Sequence, residues 1–275
     1  DCKAWEVIKN GEKIALFIGD YFARSSKRSG AWCSAFQSQA KFPVLQKPIV
    51  LNVCNFAKGS PTLLSFDDAG TLFHEFGHAL HQILSNVTYE PLSGTSVSRD
   101  FVELPSQLFE HWLTVPEVLK RFAVHYKTKS PISEKLMERL IGASNYDMGY
   151  QTVEYTSSAL VDLYFHLEDT EKDVMELQNE ILSKIGLPEA IKMRHATPHF
   201  AHVFSGGYYA AAYYSYMWSE VMDADAFSAF EELDNPFDAN LAKSLEDNIL
   251  SKGNSLDPEI AYKRFRGSLP KVCLL

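Results

Sequence analysis

The sequence predicts a mainly α-helical fold with a small β-sheet near its N terminus, built around one helix that carries an H-E-x-x-H motif. Three observations lead there. Two apolar runs rich in β-formers, bounded by Gly, Pro and Ser, fall before residue 60. From Asp67 onward the apolar residues recur at helical spacing instead. The 275 residues hold no internal repeat, low-complexity tract or long linker, so 1–275 is expected to form a single domain.

The strands come first. "KIALFIGDYF" (13–22) and "KPIVLNVCNFA" (47–57) read as strands, and the polar segment that separates them, "ARSSKRSGAWCSAFQSQAKF", reads as a loop or a short helix. The 47–57 strand has two readings. At a sheet edge it could hold an extended peptide by strand addition; otherwise it is plain sheet core. Asp67 and Asp68 in "SPTLLSFDDAG" mark a helix start, where carboxylates suit the N-terminal end of the dipole. That helix is expected over 70–85, and others over 99–113, 115–128, 133–145, 155–184, 206–231, 238–249 and 257–265. Pro105 lacks an N–H and belongs in a first turn, which moves the start of the 99–113 helix toward Val102.

Composition narrows the partners. With 26 Lys and Arg against 35 Asp and Glu the formal charge is −9. No basic run interrupts it, which argues against nucleic acid or an anionic membrane as the main partner. No apolar run approaches the roughly 18 residues that a bilayer span needs. Cys2, Cys33, Cys54 and Cys273 are scattered, with no C-x-x-C pair, so neither a zinc ribbon nor a disulfide framework is suggested. Free thiols fit a reducing, cytoplasmic compartment. The chain opens at Asp1 without a signal-peptide pattern, as a fragment or a processed product would.

The stretch "TLFHEFGHALH" (71–81) carries the chemistry. On a helix with about 3.6 residues per turn, Leu72, Phe73, Phe76, Leu80, Ile83 and Leu84 fall on one face, expected to be buried. His74, His78 and His81 fall on the other, with Glu75 beside them. His74 and His78, four apart, can share one cation. Glu75 projects about 100° away, too far to be a third ligand but placed to reach a water as general base. Gly77 lacks a side chain and lets a neighbouring backbone or a substrate come close. The bland alternative is a helix whose histidines merely face solvent.

A third ligand decides between them. The extended three-histidine spacing needs a glycine at 81 and a histidine at 84, and the chain has His81 and Leu84. A glutamate from the next helix remains, giving a two-histidine, one-carboxylate site with an open position. In "SGTSVSRDFVELPSQLFEHW" (93–112) the candidate is Glu103, flanked by Phe101, Val102 and Leu104. Glu110 and Asp100 compete with it. Glu110 also reads as a surface charge, and Asp100 as a group that holds a ligand imidazole from behind.

"HVFSGGYYAAAYYSYMWSEV" (202–221) is the other unusual segment. Gly206 and Gly207 make a turn, and the helix expected after them carries Tyr209, Tyr213 and Tyr216 at i, i+4 and i+7. The stripe is either aromatic core or a set of hydroxyl donors for a developing oxyanion. His111, His125 and His166 show no partner pattern and read as surface or satisfied core residues. His195 and His199 flank a turn at Pro198, and His81 reads as a support behind the motif.

"FHEFGHALH" followed by "SGTSVSRDFVELPSQ" resembles the thimet-oligopeptidase and peptidyl-dipeptidase family of zinc metallopeptidases. "IALFIGDYFARSSKRSGAW", "KPIVLNVCNF" and "FRGSLPKVCLL" extend the resemblance along the whole chain, to the catalytic C-terminal part of that family. The first of these and "RDFVELPSQLFEHW" look closest to its bacterial peptidyl-dipeptidase branch. The resemblance implies one Zn²⁺ on His74, His78 and Glu103, with Glu75 as base; ligand type alone also leaves cobalt or manganese open. It implies substrate and transition-state contacts from His202, Tyr213 and Tyr216, and substrate binding by Tyr209, Gly206 and Gly207. The stretch from His202 to Y-Y-S-Y is one residue longer than the family pattern, so "YYSYMW" aligns Tyr213 and Tyr216 more directly than the rest. The implied substrates are short unstructured peptides, losing C-terminal dipeptides in one branch and cut internally in the other. Family chains also carry a large N-terminal helical half, a possible partner without which this chain could bind zinc and peptide and yet be inactive.

Overall fold

Asn10 and Gly11 both take positive φ, 51° and 83°, as the two central residues of a tight hairpin turn require. They join β1 (Lys3–Lys9) to β2 (Glu12–Phe22) in an antiparallel pair that sets Trp5 opposite Phe17. β2 runs parallel to β4 (Ile49–Phe56), and β3 (Trp32–Gln37) pairs antiparallel with the other side of β4. The sheet order is β1-β2-β4-β3. The computed structural model describes residues 2–144, 146–169 and 171–270, so Cys273 lies outside the described residues, as does the last residue of the helix expected over 133–145.

β4 is an interior strand, so the edge reading of 47–57 is overturned and the exposed edges belong to β1 and β3. β3 itself occupies a segment expected to be loop or short helix. As an edge strand it buries little, and Ser34, Ala35 and Phe36 are all exposed, which leaves only a faint alternating pattern.

α1 (Phe66–Ile83) starts on a reciprocal cap. Ser65 Oγ accepts from the Asp68 N–H at 3.0 Å, and Asp68 Oδ2 accepts from the Ser65 N–H at 3.0 Å. Ala79 and Ile83 pack on Ala15, Phe17 and Val50 of the sheet. On another side, Gly77 meets α3 so closely that a Cβ there would lie 2.5 Å from the Pro105 carbonyl oxygen. The helix is thus covered from two directions, and the apolar face expected to be buried is only partly so: Ile83 is buried, while Leu72, Phe73, Leu80 and Leu84 are half-buried. Glu75, Gly77, Ala79, His81, Gln82 and Ile83 are the buried residues, while Phe76 is 38 % exposed.

The 99–113 helix is broken at its functional residue. α2 (Arg99–Val102) stops, Glu103 sits at the junction, and α3 (Leu104–Glu110) restarts with Pro105 in its first turn. The 115–128 helix shortens to α4 (Pro116–Phe122), and α5 (Glu134–Ala143) follows where 133–145 is expected. The 155–184 helix is two, α6 (Met148–Leu167) and α7 (Val174–Lys184). After the single turn α8 (Ala201–Phe204), α9 (Ser215–Glu232) begins nine residues later than expected, so Tyr209 and Tyr213 precede it. α10 (Ala239–Leu245), a wider turn over Glu246–Leu250, and α11 (Pro258–Arg266) follow.

The residues gather into two compact units: Asp1–Ile132 with Ser219–Leu275, and Ser133–Trp218. The first holds the sheet, α1 and a core in which Phe101, Leu104 and Leu108 pack with Phe227, Phe230, Ile249, Tyr262 and Phe265. The second has its own smaller core at Val161, Leu177 and Ile181. Cys2, Cys33 and Cys54 are free thiols. No helix of the described residues is long and apolar enough to cross a membrane.

Candidate metal centre

α1 offers two imidazoles, with His74 and His78 ring centroids 4.9 Å apart and the rings nearly perpendicular at 85°. The junction of α2 and α3 brings Glu103 to both. Its Oε2 lies 3.0 Å from His78 Nε2 and 3.3 Å from His74 Nε2. One donor atom from each of the three fits within 4.8 Å of the others. Tetrahedral ligands at zinc-like bond lengths stand about 3.4 Å apart, so the group needs little adjustment to hold a small divalent ion. Among the described residues it is the one such His, Cys, Asp and Glu group.

Burial sharpens the fit. Glu103 is 1 % exposed, and a carboxylate in that position needs positive charge beside it. Burial alone would raise its pKa, yet His78 and His74 beside it hold it well below the usual range. The same burial opposes a charge on His74, and its contacts with Glu103 and Glu110 override that and push its pKa up. Both effects come from the close approach of the imidazoles and the carboxylates to one another.

Glu75 is not one of the three residues that could hold an ion. It is buried, and its Oε2 has no hydrogen-bond partner among the described residues. Burial raises its pKa, with His74 and His78 pulling the other way. A carboxylate that binds a proton more readily than usual suits a general base that must also return the proton. His81, one turn on, is fully buried, and burial depresses its pKa to about 3, which keeps it neutral.

The support behind the imidazole is Glu110, not Asp100. His74 Nδ1 donates to Glu110 Oε1 at 2.6 Å, which leaves Nε2 facing Glu103. Asp100 instead offers its backbone carbonyl to the Ser219 hydroxyl at 3.1 Å. The seven-residue spacing of Glu103 and Glu110 is the sequence signal that points to Glu110, since residues seven apart share one helix face. Two of the other histidines are satisfied elsewhere: His111 pairs with Asp223 at 2.7 Å and stacks on Phe227, and His166 pairs with Asp162 at 2.9 Å.

The second unit collects the remaining predicted residues. Tyr216 Oη and His202 Nε2 are 3.0 Å apart. Tyr209 lies against His202 with centroids 4.4 Å apart, and Tyr213 sits 5.5 Å from Tyr216 and 5.6 Å from His202. Burial raises the Tyr213 pKa, so its hydroxyl stays a donor through neutral pH. Gly206 and Gly207 are exposed, and a side chain at either would meet nothing within 4 Å.

Comparison with known proteins gives a consistent picture. The chain is 42 % identical over 281 residues to dipeptidyl carboxypeptidase of Escherichia coli (strain K12), covering 99 % of this chain and 41 % of that protein. It is 39 % identical over 276 residues to oligopeptidase A of the same organism, covering 96 % and 40 %. The chain therefore spans about two fifths of the length of the curated relatives it matches. A solved Bacillus anthracis chain described as an oligoendopeptidase F shares the fold at 16 % identity and a TM-score of 0.54, over 93 % of this chain and 38 % of that one. The model of "Peptidase family M3" matches residues 1–273, from the first strand through the last helix, and the chain belongs to that family.

Proposed function

We propose that this chain is the catalytic region of a zinc-dependent peptidase that acts on short unstructured peptides and releases dipeptides from their C-terminal end. The observation that carries the reading is the convergence of His74, His78 and Glu103 on one point, with the buried Glu75 next to His74 in the chain. A divalent ion held by those three would polarise a peptide carbonyl and acidify a water. The protein's own share of the chemistry is then proton transfer and orientation.

Glu75 takes the proton of the attacking water and passes it to the leaving amine, a role its raised pKa suits. Glu110 fixes the His74 ring. Tyr213 and Tyr216, with His202, donate hydrogen bonds to the developing oxyanion, and Tyr209 with Gly206 and Gly207 lines the substrate. This second set of roles rests on the likeness of "YYSYMW" to the family's segment. The free edge of β3 suits an extended peptide added as a further strand. Free thiols at Cys33 and Cys54 fit a cytoplasmic setting.

A second reading is favoured by one observation, the two-fifths span of the relatives. On that reading the metal site is complete but turnover needs the remaining part of the family architecture. Mass spectrometry of a blocked and an unblocked nonapeptide, with and without a zinc chelator, separates the cases. Chelator-sensitive loss of C-terminal dipeptides from the unblocked peptide alone is the expected result. Internal cuts in both peptides would replace it with the oligopeptidase mode. Intact peptides beside stoichiometric zinc would support the second reading.

A further inference from the structure

Nothing in the sequence marks Asp162 as functional, yet it is fully buried on α6 with both oxygens occupied. Its Oδ1 accepts from the Ala211 N–H at 3.0 Å and its Oδ2 from the Tyr213 N–H at 2.9 Å, while His166 Nδ1, bonded to the Asp162 carbonyl at 2.8 Å, lies 2.9 Å from Oδ1. Seven residues earlier on the same helix face, the Tyr155 hydroxyl donates to the Tyr213 carbonyl and accepts from the Met217 N–H at 3.3 Å. Both backbone groups of Tyr213 are therefore held from α6.

Ala211 makes the grip necessary. Its φ is +56°, a left-handed conformation that an alanine adopts only when its surroundings impose it. A free segment with the sequence Tyr-Ala-Ala-Ala-Tyr would relax into a helix, as the periodicity predicts. The buried carboxylate supplies the competing interaction. It takes the two amides that the turn leaves unpaired, and those donors in turn offset the cost of burying its charge.

We infer that Asp162 is a positioning residue: by fixing the backbone of Ala211 and Tyr213 it sets the Tyr213 ring and the Tyr216 hydroxyl against His202. Its effect on turnover rests on the peptidase reading above, whereas its effect on the segment stands without it. If the tyrosines act in the transition state, loosening them lowers kcat and leaves KM nearly unchanged.

The test is Asp162→Asn in the full chain, which keeps the size but turns an NH₂ toward one of the two amide donors. Tyr155→Phe, which removes the second strap and leaves the carboxylate in place, is the companion. Backbone hydrogen exchange at 209–217 should rise about tenfold or more in Asp162→Asn, while β2, β4 and α1 keep their protection and zinc stays stoichiometric. Tyr155→Phe should show a smaller rise at the same amides. On a peptide that the parent chain cleaves, kcat should fall about tenfold with KM within about threefold. Unchanged exchange at Ala211 and Tyr213 would overturn the inference, as would a loosened segment with kcat intact. Should Asp162→Asn not fold, unchanged exchange and kcat in Tyr155→Phe would overturn it equally. If the parent chain cleaves no peptide, the functional reading fails and the exchange experiment still decides the positioning.

Discussion

His74 Nδ1 donates to Glu110 Oε1 at 2.6 Å, while its other nitrogen lies 3.3 Å from Glu103 Oε2. One imidazole is thus held from both sides by carboxylates seven residues apart. Such a hydrogen bond fixes the ring, and keeps the proton on Nδ1 when Nε2 is needed for an ion. Glu110→Ala should lower zinc affinity by about 10–100-fold. Competition against a chelator of known affinity checks this, and an unchanged dissociation constant would remove Glu110 from the site.

Glu75→Gln separates binding from chemistry. The amide is nearly isosteric and sits in the same buried place, so the three ligands keep their geometry. Zinc should bind stoichiometrically while turnover falls by about 10³-fold, within the usual range for a general base. A variant that loses its metal together with its activity would point to a structural role for Glu75.

The legible parts of this chain are those that depend on local spacing. H-E-x-x-H needs only a helix to bring His74 and His78 together, and α1 supplies one. β1 is equally legible, because Asn10–Gly11 between apolar runs is a strong hairpin signal. Other features depend on residues distant in sequence. The late start of α9 is one: Tyr-Ala-Ala-Ala-Tyr has helical propensity, but Asp162, 49 residues before Ala211, holds the segment in another shape. The burial pattern of α1 is another. Its amphipathic pattern marks one buried face, whereas α3 covers the helix again at Gly77, and Glu75 and His81 are buried as well.

That close approach gives a prediction whose sign opposes helix propensity. In an open helix Gly→Ala stabilises by about 1 kcal/mol. At Gly77 the added Cβ would lie 2.5 Å from the Pro105 oxygen and 2.6 Å from the Ser106 Cα, both backbone. α3 must then move away from α1 and take Glu103 with it. Gly77→Ala should lose about 1–3 kcal/mol in urea unfolding and bind zinc more weakly. A variant as stable as the parent would show that the two helices separate freely.

Asp20 gives stability a defined pH dependence. Its carboxylate receives Arg24 through two nitrogens, at 2.8 and 2.9 Å, and the buried Lys27 Nζ at 3.1 Å. The Arg24 hydrogen bonds, against an opposing effect of burial and with help from Lys27, lower its pKa to about 2. A carboxyl group whose folded pKa lies below its unfolded value of about 3.9 stabilises the folded state above that value. The contribution fades as pH falls through the folded pKa. Asp20→Asn cannot make it at any pH and leaves Lys27 without its counter-charge. The variant should be less stable than the parent by about 2–3 kcal/mol at pH 7, with the difference shrinking between pH 4 and pH 2. Urea unfolding of both proteins across that range measures the difference directly, since groups common to the two titrate alike. A difference that stays constant down to pH 2 would mean that the Asp20 charge contributes nothing to folding.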